Sequence, residues 1–182
     1  MDASGWQHWT LRTLPAELHN TPERIVDSVR ERLARERADH DLVFCAYADC
    51  GTGGRLDELL EREGIERLPG AHCYEFYAGE ELFAKLGEEA MGSFYLTDFL
   101  AEHFDRLVVR GLGLDRHPEL RDEYFRGYER LVYLSQRRDP GELLQRARDA
   151  AARLELAFEH RAVGYGGLVT SLEELARTAR EL

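Results

Sequence analysis

The sequence predicts an α/β fold: one domain, three layers deep, with a mostly parallel sheet flanked by helices. Three observations carry this. Short apolar runs alternate with helical patterns along the whole chain. The run Leu42-Val43-Phe44-Cys45-Ala46-Tyr47 has no polar alternation, which suits a strand covered on both faces. Helix punctuation recurs between the runs, with capping residues at the starts and glycines near the ends.

Trp9-Thr10-Leu11-Arg12-Thr13-Leu14 alternates as a strand does and stops at Pro15, and Leu18-His19-Asn20 reads as a loop. Thr21-Pro22-Glu23 opens a helix with a capping hydroxyl, a proline at the first helical position and an early carboxylate. Ile25, Val26, Val29 and Leu33 share one face of this helix, which runs to about Ala38. After the strand at 42–47, Leu56, Leu59 and Leu60 interleave with Asp57, Glu58 and Glu61 in an amphipathic helix ended by Gly64. Ile65 to Leu68 forms a short strand, and a helix containing Leu82, Phe83 and Leu86 comes later. Phe94-Tyr95-Leu96 is a third strand. Thr97-Asp98 caps a helix through Phe99, Leu100, Phe104, Leu107 and Val108, which Gly111-Leu112-Gly113-Leu114 breaks. Pro118-Glu119 starts another helix, Leu131-Val132-Tyr133-Leu134 is strand-like, and Asp139-Pro140 opens a long helix. Leu156-Ala157-Phe158-Glu159 is the last strand, before Gly164-Tyr165-Gly166-Gly167. Ser171 and Glu174 predict a capping box for the terminal helix. No repeat or low-complexity linker divides residues 1–182, so a single domain is expected.

Composition narrows the function. A formal net charge of −11 argues against a sequence-independent grip on nucleic acid, which depends on cations neutralising phosphates. Nearly all the cationic residues are arginine, with Lys85 the only lysine. No apolar run approaches the roughly 18 residues of a membrane span. The start, Met1-Asp2-Ala3-Ser4-Gly5-Trp6, lacks the pattern of a signal peptide, so a cytoplasmic protein without a membrane partner is expected. Three cysteines in a reducing compartment point to metal, catalytic or buried free thiols, not a disulfide framework.

The chemistry gathers in two glycine-flanked clusters, Asp49-Cys50-Gly51-Thr52-Gly53-Gly54 and Gly70-Ala71-His72-Cys73-Tyr74. Each follows a predicted strand. In an open parallel sheet, loops leaving successive strand ends collect along one edge, where ligands bind. Cys50, His72 and Cys73 are therefore expected to meet there as a metal site, or as a reactive thiol pair. Gly51, Gly53 and Gly54 permit a turn that cradles a ligand beside Asp49 and Thr52. Cys50 also precedes a helix, whose N-terminus favours a thiolate. The pattern is neither a Walker loop nor a dinucleotide fingerprint. A closed site needs a fourth ligand such as Asp49, Glu75 or His103, whereas an open position suits catalysis. Cys45, inside the apolar strand, reads as inert packing.

Further polar residues are candidates around that edge. Asp98 follows a strand and is either a plain cap or a proton carrier facing Cys50. His103 is either a structural histidine or a general base. Asp115, Arg116 and His117 form either a local ion-pair cluster or a ligand site. Glu159-His160-Arg161 leaves the last strand at the same edge, Tyr165 between glycines could stack over a ligand, and Leu18-His19-Asn20 could close over it.

The two clusters, with Phe94-Tyr95-Leu96-Thr97-Asp98-Phe99-Leu100, His103-Phe104-Asp105-Arg106-Leu107, the stretch Gly111-Leu112-Gly113-Leu114-Asp115-Arg116-His117-Pro118-Glu119-Leu120-Arg121-Asp122 and Gly164-Tyr165-Gly166, resemble a bacterial and archaeal family known as domain of unknown function 1638. The similarity runs from about Trp6 to the C-terminus, and the 111–122 match is the most specific. Members often lie beside genes for corrinoid-dependent methyl transfer, so the resemblance implies a place near methyl-group or cobamide metabolism, with a corrinoid protein as partner. Members usually begin with an extra strand whose Ala-Cys-Gly-Ala-Leu-like motif carries a third thiol. This chain begins after that strand, so zinc ranks above an iron–sulfur cluster with one open iron.

The expected function is a metalloenzyme, specifically a zinc-dependent transferase. Cys50, Cys73 and His72 hold the metal, Asp98 or His103 moves protons, and Tyr165 shapes a pocket for a small thiol or methylated compound. The alternatives are a non-catalytic metal- or cobamide-binding accessory protein, and a metal-free cysteine enzyme with Cys50 as nucleophile.

Overall fold

A computed structural model describes residues 9–70, 72–79, 83–85 and 92–178. Among the described residues, five parallel strands form two sheets. β1 (Phe44–Cys45) pairs with β2 (Glu66–Arg67), and β3 (Ser93–Thr97), β4 (Arg130–Ser135) and β5 (Ala157–Ala162) form a second sheet in that spatial order. The described helices are α1 (Ile25–Glu36), α2 (Arg55–Glu63), α3 (Cys73–Ala78), α4 (Asp98–Glu102), α5 (Leu120–Tyr124), α6 (Glu142–Leu154) and α7 (Gly166–Thr178). Parallel neighbours need long crossovers, which α2 supplies between β1 and β2, α4 and α5 between β3 and β4, and α6 between β4 and β5. The expected α/β class is what the chain adopts.

β4 explains the layering. Its side chains alternate across the sheet, and both sets are buried. Leu131 and Tyr133 pack with Leu96 beneath α4 and α6, against Ala101, Ala147, Ala150 and Leu154. Val132 and Leu134 face the other way, toward Tyr74 of α3 and Tyr95. The register sets Leu96 beside Tyr133 and Tyr133 beside His160, so all three lie on one face. A separate core joins α1 and α2 to β1 through Ile25, Val29, Leu33, Cys45, Leu56 and Leu60. Ile25 is fully buried, and its truncation to alanine would cost about 2–5 kcal/mol.

Several local expectations need correction. Residues 9–15 carry no strand despite their alternation, and a 3₁₀ turn (Ala16–Asn20) replaces the loop expected at Leu18-His19-Asn20. Alternation alone cannot make a strand, which also needs a partner to pair with. The apolar run 42–47 contributes only two residues to a ladder. Thr21 makes no side-chain cap. A 3₁₀ turn (Pro22–Arg24) leads into α1, which ends at Glu36 and tightens into another 3₁₀ turn (Arg37–Asp39). Thr97 does cap α4, accepting from the Leu100 N–H at 3.3 Å. The helix expected through Val108 changes pitch to a π-type stretch at Asp105–Arg110. Ser171 and Glu174 cannot form a starting box, because α7 already begins at Gly166. The helix expected around Leu82, Phe83 and Leu86 lies largely outside the described residues; only 83–85 are described, and they are helical.

Candidate functional site

Two backbone turns meet through one carbonyl. The Gly70 carbonyl accepts from the Asp49 N–H at 3.3 Å and from the Arg67 guanidinium at 3.1 Å. Arg67 also grips both carboxylate oxygens of Asp57 on α2, one of them at 2.9 Å, and reaches the Leu68 carbonyl. A planar, many-donor cation can bridge three such partners, which an ammonium cannot do in the same geometry. The turn ahead of Cys50 and the turn ahead of Cys73 are held side by side in this way.

Within the first turn, Asp49 supplies the rigidity. Its carboxylate accepts from Thr52 Oγ1, from the Gly53 N–H at 3.2 Å and from the Gly54 N–H at 3.0 Å. Burial opposes ionisation of Asp49, but these donors outweigh it and hold the pKa below the ordinary carboxylate value. Gly51, Gly53 and Gly54 all adopt positive φ, and Thr52 is 2 % exposed. These residues build the turn into α2. Cys50 is itself in the left-handed region at φ 49°, a conformation that costs a non-glycine residue about 1–2 kcal/mol.

The second turn places His72 in extended conformation, so the backbone swings Cys73 into the first turn of α3. Tyr74 anchors α3 to the sheet, with its ring 5.5 Å from Tyr95. Cys73 therefore meets Cys50. The neighbouring His72 is exposed and takes no part, because adjacent side chains diverge.

The third member comes from the N-terminal segment. One nitrogen of His19 and the sulfurs of Cys50 and Cys73 all lie within 4.8 Å of one another. The His19 ring stacks on Tyr47 with centroids 5.7 Å apart. Its Nδ1 lies 3.2 Å from the Ala16 carbonyl, an acceptor, so in the neutral ring Nε2 keeps the free lone pair. Asn20 tethers this turn by donating to the Leu107 carbonyl at 2.9 Å. Pro22 packs 3.5 Å from where a Cβ on Gly51 would stand.

The electrostatics favour one shared charge. Hydrogen bonds from the Cys73 thiol, from His19 and from the Cys73 N–H lower the Cys50 pKa well below that of a free thiol, against the opposing effect of burial. Cys73 is shifted up by the Cys50 sulfur and by burial. His19 is raised by the same thiolate. Tyr47 is pushed up to about 12 by burial and the neighbouring sulfurs. Cys45, buried in β1, is raised to about 11 chiefly by burial, in keeping with inert packing.

Two sulfurs and one imidazole nitrogen are a donor set that suits zinc. Tetrahedral ligands at zinc bond lengths stand about 3.5 Å apart, so rotations moving atoms by about an ångström would close this cluster on an ion. Among the described residues, no further histidine, cysteine or carboxylate joins within that reach.

The other predicted residues lie elsewhere in the fold. Asp98 is buried and accepts from the Tyr133 hydroxyl at 2.7 Å, the Gln136 N–H at 3.3 Å and the Arg137 N–H at 3.0 Å. It ties the ends of β3 and β4 together. His103 packs edge-on against Phe99 at 4.6 Å. Asp115, Arg116 and His117 form an exposed ion-pair group in which Arg116 pairs with Asp115 and His117 with Glu119. His160 lies 2.9 Å from Ser135 Oγ and stacks on Tyr133. Tyr165 is 41 % exposed. The glycines after it serve contact with α3, since a Cβ on Gly166 would stand 2.6 Å from the Tyr77 carbonyl.

The fold and cluster together define an α/β protein with a Cys/Cys/His group bridging separate turns. A family described as protein of unknown function (DUF1638) matches residues 13–172, and the chain belongs to that family. No curated protein and no solved structure matches it. Among the described residues, no helix is long and apolar enough to cross a membrane.

Proposed function

We propose that this protein is a metal-binding α/β protein, with zinc held by Cys50, Cys73 and His19, that acts as a transferase on a small thiol or a methylated compound. The observation that carries the reading is the joint reach of two sulfurs and an imidazole nitrogen from three separate segments. Bound there, the metal would supply Lewis acidity to a ligand in a fourth position. The protein's own residues set the conditions for that chemistry. Cys50 and Cys73 hold negative charge in a half-buried site, Tyr47 supports the His19 ring, and the Ala16 carbonyl engages Nδ1 and leaves the lone pair on Nε2. His19 takes the place first expected for His72.

The test is metal analysis of protein purified without a metal-binding tag. About one equivalent of zinc per chain is expected for the wild type and for His72→Ala. Cys50→Ala/Cys73→Ala should carry none, and His19→Ala should hold it weakly. Metal retained by the double variant would remove the reading.

The accessory alternative, a metal- or cobamide-binding partner of a corrinoid protein, draws support from the commitment of Asp98 to Tyr133, Gln136 and Arg137, which leaves this candidate proton carrier engaged elsewhere. Retained ligand binding and biological activity in Asp98→Asn and His103→Gln would favour it. Full activity in metal-free protein, with rapid stoichiometric alkylation of Cys50, would favour the cysteine-enzyme alternative instead.

A further inference from the structure

The sulfurs of Cys50 and Cys73 lie within 4.8 Å of each other although 23 positions separate them in the chain. Neither is deeply enclosed: both are half-buried, while Cys45 is buried in β1. The two turns adjoin through the Gly70 carbonyl, which accepts from the Asp49 N–H and from Arg67, so the two thiols come from separate turns held side by side. A disulfide needs its sulfurs at about 2.05 Å with suitable Cβ directions, and two half-buried thiols on adjoining turns meet the first requirement for approach. Sensor thiols of this kind are accessible to solvent and lie next to a resolving cysteine. Both conditions converge on this pair.

We propose that Cys50 and Cys73 form a reversible intramolecular disulfide on exposure to a peroxide, and that closing it discharges the metal ion. The disulfide stands on the geometry alone; the discharge rests on the metal site proposed above. The Cys50 thiolate attacks one peroxide oxygen, the O–O bond breaks, and the departing oxygen leaves as hydroxide and takes up a proton to become water. Cys50 is then a sulfenic acid. The Cys73 sulfur attacks the Cys50 sulfur, the S–O bond breaks, and the oxygen leaves as a second water carrying the Cys73 proton. The two thiols lose two electrons in all, and the peroxide gains them. A dithiol reductant reverses the process by thiol–disulfide exchange. His19 alone cannot retain an ion once both sulfurs are bonded to each other, because a single imidazole forms too weak a site.

The experiment treats full-length protein with stoichiometric hydrogen peroxide, as purified and after dialysis against a chelator. Free thiols are counted, peptides are mapped by mass spectrometry, and released zinc is read with a chromogenic chelator. The expected result is loss of two of the three thiols, a mass lower by two hydrogen atoms, a crosslinked peptide joining residues 50 and 73, and Cys45 still free. Zinc should appear in proportion to disulfide. In Cys73→Ser, a dimedone adduct should accumulate on Cys50; in Cys50→Ser, oxidation should slow at least about tenfold. Wild-type protein that proceeds to sulfinic acid at Cys50, or forms only intermolecular disulfides, would overturn the proposal. Disulfide formation in protein that never contains metal would retain the switch and remove the metal reading. Bound zinc that stays in place while the crosslink forms would overturn the discharge.

Discussion

Replacing Arg67 with methionine separates the support of the site from the site itself. The change removes a guanidinium that spans Asp57, the Leu68 carbonyl and the Gly70 carbonyl while keeping most of the apolar stem. The Arg67 side chain is 18 % exposed and that of Asp57 40 %, so solvent screens the pair and limits its worth to about 1 kcal/mol or less. Each carbonyl that loses a charged donor adds about 1 kcal/mol, and Gly70 keeps its bond from the Asp49 N–H. A loss of about 2–3 kcal/mol follows, which for a chain of this size lowers the melting temperature by about 5–10 °C. The larger expectation concerns the metal. Arg67 reaches the turn that carries Cys73 without touching either sulfur, and removing such supporting groups weakens metal sites by about 10–100-fold. Zinc affinity by chelator competition, with thermal unfolding measured on the same samples, reads both effects. Arg67→Lys should fall between the two proteins, since one ammonium cannot satisfy three partners. Lower stability with unchanged zinc affinity would refute the idea that Arg67 sets the approach of the two turns.

Further outcomes follow from the same contacts. Zinc binding at pH 7 should release about one to two protons, because Cys73 must give up its thiol proton and His19 is partly protonated; affinity therefore falls as pH is lowered. Calorimetry in buffers of different ionisation enthalpy measures the count, and zero release would exclude Cys73 as a ligand. The Arg67 hydrogen bond, opposed by burial, holds the Asp57 pKa below 3.8. Its contribution is complete above about pH 4 and is lost as pH falls through the lowered value, so Asp57→Asn should remove less than about 1 kcal/mol of acid sensitivity in urea midpoints between pH 5 and 3. A Cβ on Gly111 would stand 2.1 Å from the Leu107 carbonyl and 2.5 Å from Asn20 Nδ2. Gly111→Ala should thus cost about 1–3 kcal/mol by denaturant melts and weaken zinc binding by displacing the turn that carries His19. Tyr133→Phe removes one donor to buried Asp98 and should cost about 1–2 kcal/mol, with metal content unchanged.

The meeting of Cys50 and Cys73 was legible in the sequence because each follows a short strand beside glycines, and parallel strands deliver such turns to a common edge. The role of His19 was not legible in the same way. It sits ahead of α1, at no ligand spacing from either cysteine, and only a loose sense that 18–20 could close over the edge pointed to it. His72 drew attention by adjacency to Cys73, yet that adjacency is what turns its side chain away. Asp98 illustrates a further limit. A carboxylate after a strand reads equally as a cap or a catalyst, and the Tyr133 hydroxyl that claims it stands 35 positions later.

Local chemistry in the chain dictated most of the helices and the glycine turns, and marked the unusual thiols, since each depends on neighbours within a few residues. Tertiary structure alone decided which histidine joins the sulfurs, which carboxylates are consumed by the framework, and that residues 9–15 stay out of any sheet. Those outcomes turn on distances between segments far apart in the chain, set by packing of α1 and α3 against different sheets, and no local pattern of residues encodes such a distance.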